Sequence, residues 1–248
     1  MKQTRPLSYS ALKQFSKSPA HLNAYWNRDT TQSASMAKGS LIHTLVLEPD
    51  TYDEKYAIYE GKVRRGKEYD AFCLENEGKI ILNQNEFDEA NLIKNAVWNH
   101  KIAKNIFDRT TEVESKFEME YKDLAFKGII DGIGDDFIFD LKTTQSSEPS
   151  KFSKDAFNYG YNLQAAIYLK AVQRKHYYII SVESVAPYNV TVFEMTSDLI
   201  NMGTQELERL IEQFKDWDGL FTGYSDFIEP LDVPQWMKSK EQELVDRF

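Results

Sequence analysis

The 248-residue sequence contains a single cysteine, Cys73. It can form no intrachain disulfide, and neither a thiolate-rich zinc site nor a four-cysteine iron–sulfur cluster can be built from it. Histidine is also scarce. His21, His43, His100 and His176 are widely separated and form no close His-x-x-x-His pair. A bound metal would take mainly oxygen ligands, which selects magnesium, manganese or calcium. No apolar run approaches the roughly 20 residues needed to cross a bilayer. The opening "MKQTRPLSYS" has no apolar stretch of the kind a secretion signal needs. A cytoplasmic protein without membrane contact is expected. There is no internal repeat, no low-complexity linker and no G-x-x-x-x-G-K-[ST] phosphate loop of an ATP motor.

Positive charge is in deficit, with 30 Lys and Arg against 39 Asp and Glu and a net charge of −9. Such a chain is a poor general binder of polyanions. If nucleic acid is its ligand, the basic residues must be gathered locally, as in a channel. The length is sufficient to bury a substantial core. With 28% charged and 13% aromatic residues, the composition is that of a globular protein rather than a disordered one.

Helical patterns come first. "LSYSALKQFSKSPAHLNAYW" reads as a helix from about Ser10, capped by Ser8 or Ser10 and broken or kinked near Pro19. "SMAKGSLIHTLVLEP" reads as a second helix, stopped by Pro49. "VRRGKEYDAF" is a basic loop leading into a helix, and "NEFDEANLIKNAVWNHKIAKNIF" has the helical spacing of Leu92, Ile93, Ala96 and Val97. Strands follow in "EVESKFEMEY", "LAFKGIIDGI" and "DFIFDLKTT". Then come a helix in "YNLQAAIYLKAVQRK", strands in "YYIISVESV" and "NVTVFEMT", and an amphipathic helix over 198–217. The pattern is an α/β fold with a central sheet covered by helices. One domain spans 1–248, with a mainly helical part (1–110), a sheet with helices (111–217) and an extended tail (218–248).

Within the strands, "GIIDGIGDDFIFDLKTT" threads four aspartates and a lysine through apolar residues. Gly134, Asp135 and Asp136 are turn formers, so a hairpin is expected. Phe137, Phe139 and Leu141 share one face of its second strand; Ile138, Asp140 and Lys142 share the other. A two-residue turn at Asp135–Asp136 sets Asp131 directly opposite Asp140. A turn one position earlier makes them diagonal neighbours, and a three-residue turn needs a bulge to restore the arrangement. Facing carboxylates repel. A divalent cation relieves that, and Lys142 can contact a phosphate or orient an attacking water. The plain alternative is a set of solvent-face charges near a strand end, with Lys142 paired to Asp140.

"IID" followed nine residues later by "DLK" resembles the core of the PD-(D/E)XK nucleases, with Asp131 at the first acidic position and Asp140 and Lys142 as the D/E-x-K pair. Gly39-Ser-Leu-Ile-His43 is similar to the G-x-x-x-H signature of the RecB-like branch, and Gln164-Ala-Ala-Ile-Tyr168 to its Q-x-x-x-Y motif. Glu114 matches an accessory acidic position, with Glu118 and Glu120 as rivals. The order of these residues agrees with the family. The usual proline before the first aspartate is replaced by Ile130. Segments at both ends resemble the RecE-like (exonuclease VIII) phage and prophage exonucleases, including "LDVPQWM" in the tail.

The resemblance implies a restriction-endonuclease-like core with an N-terminal helical region. It implies Mg²⁺, with Mn²⁺ able to substitute, held by Asp131, Asp140, His43 and the Leu141 carbonyl, with Glu114 nearby. Lys142 would position the attacking water, while Gln164 and Tyr168 would support the site or the strand. Arg64, Arg65 and Lys67 are candidates for contact with the DNA backbone. The implied activity is an ATP-independent double-strand DNA exonuclease, acting 5′→3′ on duplex ends and leaving 3′ tails. The implied setting is a ring-like homo-oligomer, tetrameric or trimeric, of phage or prophage origin in a bacterial cell, working with a single-strand annealing protein. The alternatives are a structure-specific or restriction-type endonuclease and a non-catalytic DNA-binding module of the same fold.

Overall fold

The computed structural model describes residues 5–28, 33–225 and 227–233. The first helical stretch is two helices, α1 (Tyr9–Phe15) and α2 (Pro19–Trp26). Ser8 caps the first by accepting from the Ala11 N–H, and Ser18 caps the second by accepting from the His21 N–H. Pro19 begins α2 rather than kinking α1, because a first-turn residue has no intrahelical N–H bond to lose. Helix α3 (Ala34–Leu47) ends ahead of Pro49, as expected. A short 3-10 turn and α4 (Tyr52–Lys55) lead into strand β1 (Tyr56–Tyr59). Then come α5 (Lys67–Glu75) and β2 (Ile80–Asn83), which pairs in parallel with β1. This two-stranded sheet was not expected. Strands of four residues are too short to show an alternating pattern.

The long helical stretch after it also divides, into α6 (Gln84–Asn99) and α7 (Lys101–Asp108). His100 lies between them and caps α7 through its ring nitrogen. Ala90, Ile93 and Val97 form the buried stripe of α6, whereas Leu92 is 54% exposed and lies off it.

The main sheet is built from β3 (Thr110–Tyr121), β4 (Leu124–Gly134), β5 (Phe137–Thr144), β6 (His176–Glu183) and β7 (Val190–Glu194), side by side in that order. Strands β5 and β6 run parallel and the other neighbours antiparallel, so the sheet is mixed. Lys122 and Asp123, both at positive φ, close the β3–β4 hairpin, the backbone a two-residue turn of this hand requires. Helices α8 (Pro149–Tyr159) and α9 (Tyr161–Val172) make the crossover from β5 to β6, and α10 (Ser197–Asp216) follows β7. Helix α8 escaped the sequence reading. Its signals are Glu148, which caps Ser150 and Lys151, Pro149 at the first position, and Gly160 after its end.

Both faces of the sheet are covered, which places the catalytic-type residues of β5 between two apolar layers. Ile130, Ile133, Ile138 and Ile179 pack against α1, α2, α8, α9 and α10. Phe137, Phe139, Leu141, Ile180 and Val182 pack against α3, α6 and α7. The expected division of β5 into two faces therefore holds. Burying each such side chain contributes on the order of 1.5–3 kcal/mol. No described helix is long and apolar enough to cross a membrane.

Candidate active site

Gly132 faces Phe139 and Ile133 faces Ile138, which makes Asp135–Asp136 a two-residue turn. Continuing that register sets Asp131 level with Asp140. Gly132 is required here because a Cβ would lie 1.9 Å from the Phe139 ring. Regular alternation slips just before it: Ile130 and Ile133, three apart, both face the same apolar layer. Asp131 sits in that slip, and its Oδ2 accepts the Leu141 N–H at 2.7 Å.

Across the other edge of β4, the β3 register sets Glu114 opposite Asp131. Glu114 has φ +48°, a left-handed conformation that a glutamate rarely adopts. Such strain, typically of order 1–3 kcal/mol, persists where the surroundings hold it and concentrates at functional sites. Glu118 and Glu120, the rival acids, lie further along β3.

His43 comes from α3, which packs over this end of the sheet. Its Nε2 lies 2.7 Å from the Leu141 carbonyl oxygen. Its Nδ1 lies 3.8 Å from Glu114 and 3.7 Å from Asp131. One ligand atom from each of His43, Glu114 and Asp131 falls within 4.8 Å of the others. This donor set, one imidazole nitrogen and two carboxylate oxygens on three separate elements, fits a divalent cation such as Mg²⁺ or Mn²⁺. Two half-buried carboxylates this close repel one another unless positive charge is supplied. Burial and the neighbouring Asp140 push the Asp131 carboxyl up to about 7. Burial alone would lower the His43 pKa, but Asp131 and Glu114 overcome it and hold the imidazole at about 9.

Asp140 stands beside this trio and outside it. It is 2% exposed, and its Oδ1 accepts from Gln164 Nε2 on α9 at 2.7 Å. Lys142 Nζ is 2.6 Å from its Oδ2, so the ammonium and the buried carboxylate form an ion pair. Burial would lower the Lys142 pKa; Asp140 and Asp131 more than reverse that, and the ammonium stays charged. The plain reading of Lys142 as the partner of Asp140 thus describes one contact of a larger group. Tyr168, one turn after Gln164, is buried edge-to-face against Phe117.

His43, Glu114 and Lys142 line one open cleft. Arg64, Arg65 and Lys67 do not line it; Arg64 is paired with Glu86 at the start of α6. Pro234 to Met237 of the "LDVPQWM" segment lie outside the described residues. Tyr161 was not anticipated. Its ring lies 5.0 Å from Lys142 Nζ, a cation–π contact that no sequence spacing announces.

Residues 8–218 match the family described as a PDDEXK-like domain of unknown function (DUF3799). No curated protein matches the sequence. Among solved structures, a candidate exonuclease from Eubacterium rectale shares the fold. It superposes with a TM-score of 0.60 over 95% of this chain and 92% of its own, at 12% identity. A phage-related exonuclease from Haemophilus somnus 129PT matches with a TM-score of 0.36 and 12% identity, over 86% of this chain and 96% of its own. An alkaline exonuclease from Laribacter hongkongensis gives 0.36 and 14%, over 96% and 94%. Likeness at those two scores is too loose to extend to function.

Proposed function

The chain belongs to the PDDEXK-like domain family DUF3799, and on that premise we propose that it is a divalent-metal-dependent deoxyribonuclease that hydrolyses phosphodiester bonds from duplex ends. The observation that carries the proposal is the convergence of His43, Glu114 and Asp131 within 4.8 Å beside the Asp140–Lys142 pair.

His43, Glu114 and Asp131 would hold the cation, Mg²⁺ or Mn²⁺. Once bound, it would polarise the scissile phosphate and lower the pKa of water. Asp140, paired with Lys142 over 2.6 Å, would add a carboxylate oxygen to the ligand set if Lys142 turned to the phosphate. The Leu141 carbonyl, facing His43, would offer a further oxygen to the group. Lys142 then orients the attacking water and meets the negative charge that grows on the phosphate oxygens. Gln164 keeps Asp140 aimed while Lys142 is away.

The finer reading is a 5′→3′ exonuclease of the RecE-like kind, making 3′ tails for a strand-annealing partner in a phage or prophage setting. A net charge of −9 repels DNA at long range. A closed cyclic homo-oligomer, a tetramer or else a trimer, would gather lysine and arginine around a threaded strand. Light scattering with and without DNA tests the assembly. Arg64, Arg65 and Lys67 belong to this reading as contacts to duplex outside the cleft. The activity itself is tested by digestion of linear and circular duplexes labelled at either end, with and without metal.

A further inference from the structure

Helices α8 and α9 meet at Gly160, whose φ of +73° ends one and starts the other. A residue with a Cβ would be strained there. This sharp junction stacks the rings on either side of it. Tyr159 and Tyr161 lie with centroids 5.8 Å apart and planes 28° from parallel. The Tyr9 hydroxyl donates to the Tyr159 carbonyl and fixes the junction to α1. Lysines flank the pair of rings: Lys142 Nζ is 5.0 Å from the Tyr161 ring, and Lys13 Nζ is 5.0 Å from the Tyr159 ring. A row thus runs outward from the candidate active site, Lys142, Tyr161, Tyr159, Lys13.

The row ends in an open groove lined by Lys13, Lys17 and Phe157. Tyr159 is 53% exposed and Phe157 54% exposed. Among the described residues neither Lys13 nor Lys17 is paired with a carboxylate, on a chain with 39 acidic residues. Glu206, which also lines the groove, is engaged by Arg209. Burial and repulsion from Lys17 and Lys142 hold the Lys13 ammonium below the usual lysine value. The positive charge is therefore concentrated and unanswered.

Exposed rings such as Tyr159 and Phe157, beside cations such as Lys13 and Lys17 that no carboxylate answers, are what a single strand of nucleic acid binds: bases stack on the rings and phosphates meet the ammonium groups, with little regard to sequence. We propose that the Tyr161–Tyr159–Lys13 row, continued by Phe157 and Lys17, is a single-strand track that carries a few unpaired nucleotides to or from the catalytic centre. This rests on the nuclease reading for the identity of the centre, but the track itself is a binding site and is tested as one.

The probe is a fluorescently labelled dT oligonucleotide of about a dozen nucleotides with one internal 2-aminopurine, bound in Ca²⁺ or EDTA. Tyr159→Leu should weaken binding about tenfold, within the range measured for loss of one base–aromatic stack. It should also restore the 2-aminopurine fluorescence that stacking quenches. Tyr159→Phe should keep both affinity and quenching, because the hydroxyl is not what stacks. A Lys13→Ala/Lys17→Ala double variant should flatten the slope of log affinity against log salt by about 1.4, or about 0.7 per phosphate contact. Circular dichroism of each variant checks that the fold is kept. Unchanged affinity, quenching and salt slope in folded variants overturn the track, as does a wild-type chain that does not bind the oligonucleotide. Duplex digestion is scored separately. A chain that binds and quenches but never cuts keeps the track and loses the nuclease reading; one that cuts while ignoring Tyr159 does the reverse.

Discussion

Gln164 Nε2 donates to Asp140 Oδ1 over 2.7 Å, tying helix α9 to a carboxylate that is 2% exposed. Gln164→Leu keeps the volume and removes the donor. A buried acceptor then loses its partner, at a cost of about 1–3 kcal/mol. Urea unfolding should show a lower midpoint with an unchanged slope, and cleavage should fall with it. A midpoint equal to wild type would mean that water or another donor takes over.

Metal-free stability should fall as the pH rises from 6 to 9. The His43 pKa is raised in the folded state to about 9, so its contribution is complete below about 6.5, the unfolded value, and is lost as pH climbs through 9. Asp131 is held up to about 7, so the folded chain also keeps a proton that an unfolded aspartate has already given up. Both act in one direction. A divalent cation needs both groups deprotonated, so its stabilising effect should grow over the same window. Thermal melts in EDTA and in Mn²⁺ across this range measure it. Parallel curves in the two media would contradict the site.

Asp131→Asn removes the raised carboxylate and keeps an oxygen for the Leu141 N–H. The variant should melt higher than wild type in EDTA and gain little from Mn²⁺, with its affinity for the ion reduced at least tenfold in calorimetry. A full metal-dependent rise in melting temperature would remove Asp131 from the ligand set.

Helices α9 and α10 touch where Gly203 meets Asn162: an added Cβ would lie 2.0 Å from the Asn162 carbonyl oxygen. That atom is backbone and cannot turn aside. Gly203→Ala should destabilise the chain by about 1–3 kcal/mol, the usual cost of overpacking. Cleavage at low temperature should persist, since Gly203 touches no residue of the site.

The sequence was most informative where periodicity and turn chemistry agree. The β4–β5 hairpin and the faces of β5 were legible because alternation and a two-residue turn fix them, whereas His43 was picked out only by the resemblance of Gly39–His43 to the G-x-x-x-H signature. Short elements were not: β1 and β2 have four residues each. The part played by Glu114 was visible only as one of three acids on a strand. Its φ of +48°, which no pattern foretells, accompanies its place in the cluster. Asp131 and Asp140 were expected to form the pair at the centre. In the structure Asp131 stands level with Asp140 and also meets His43 and Glu114, while Asp140 is held by Gln164 and Lys142. Tyr161 was hidden because its contact with Lys142 crosses from a helix start to a strand 19 positions earlier.

The central claim is a metal-dependent nuclease acting from ends. Linear and covalently closed duplexes, labelled at either end where ends exist, should be incubated with purified wild type and Asp131→Asn in Mg²⁺, Mn²⁺ and EDTA. The account predicts digestion of the linear duplex alone, only with a divalent cation, with the 5′ label released first and none released by the folded Asp131→Asn chain. An intact linear duplex under every metal condition, or digestion that survives Asp131→Asn, would contradict it.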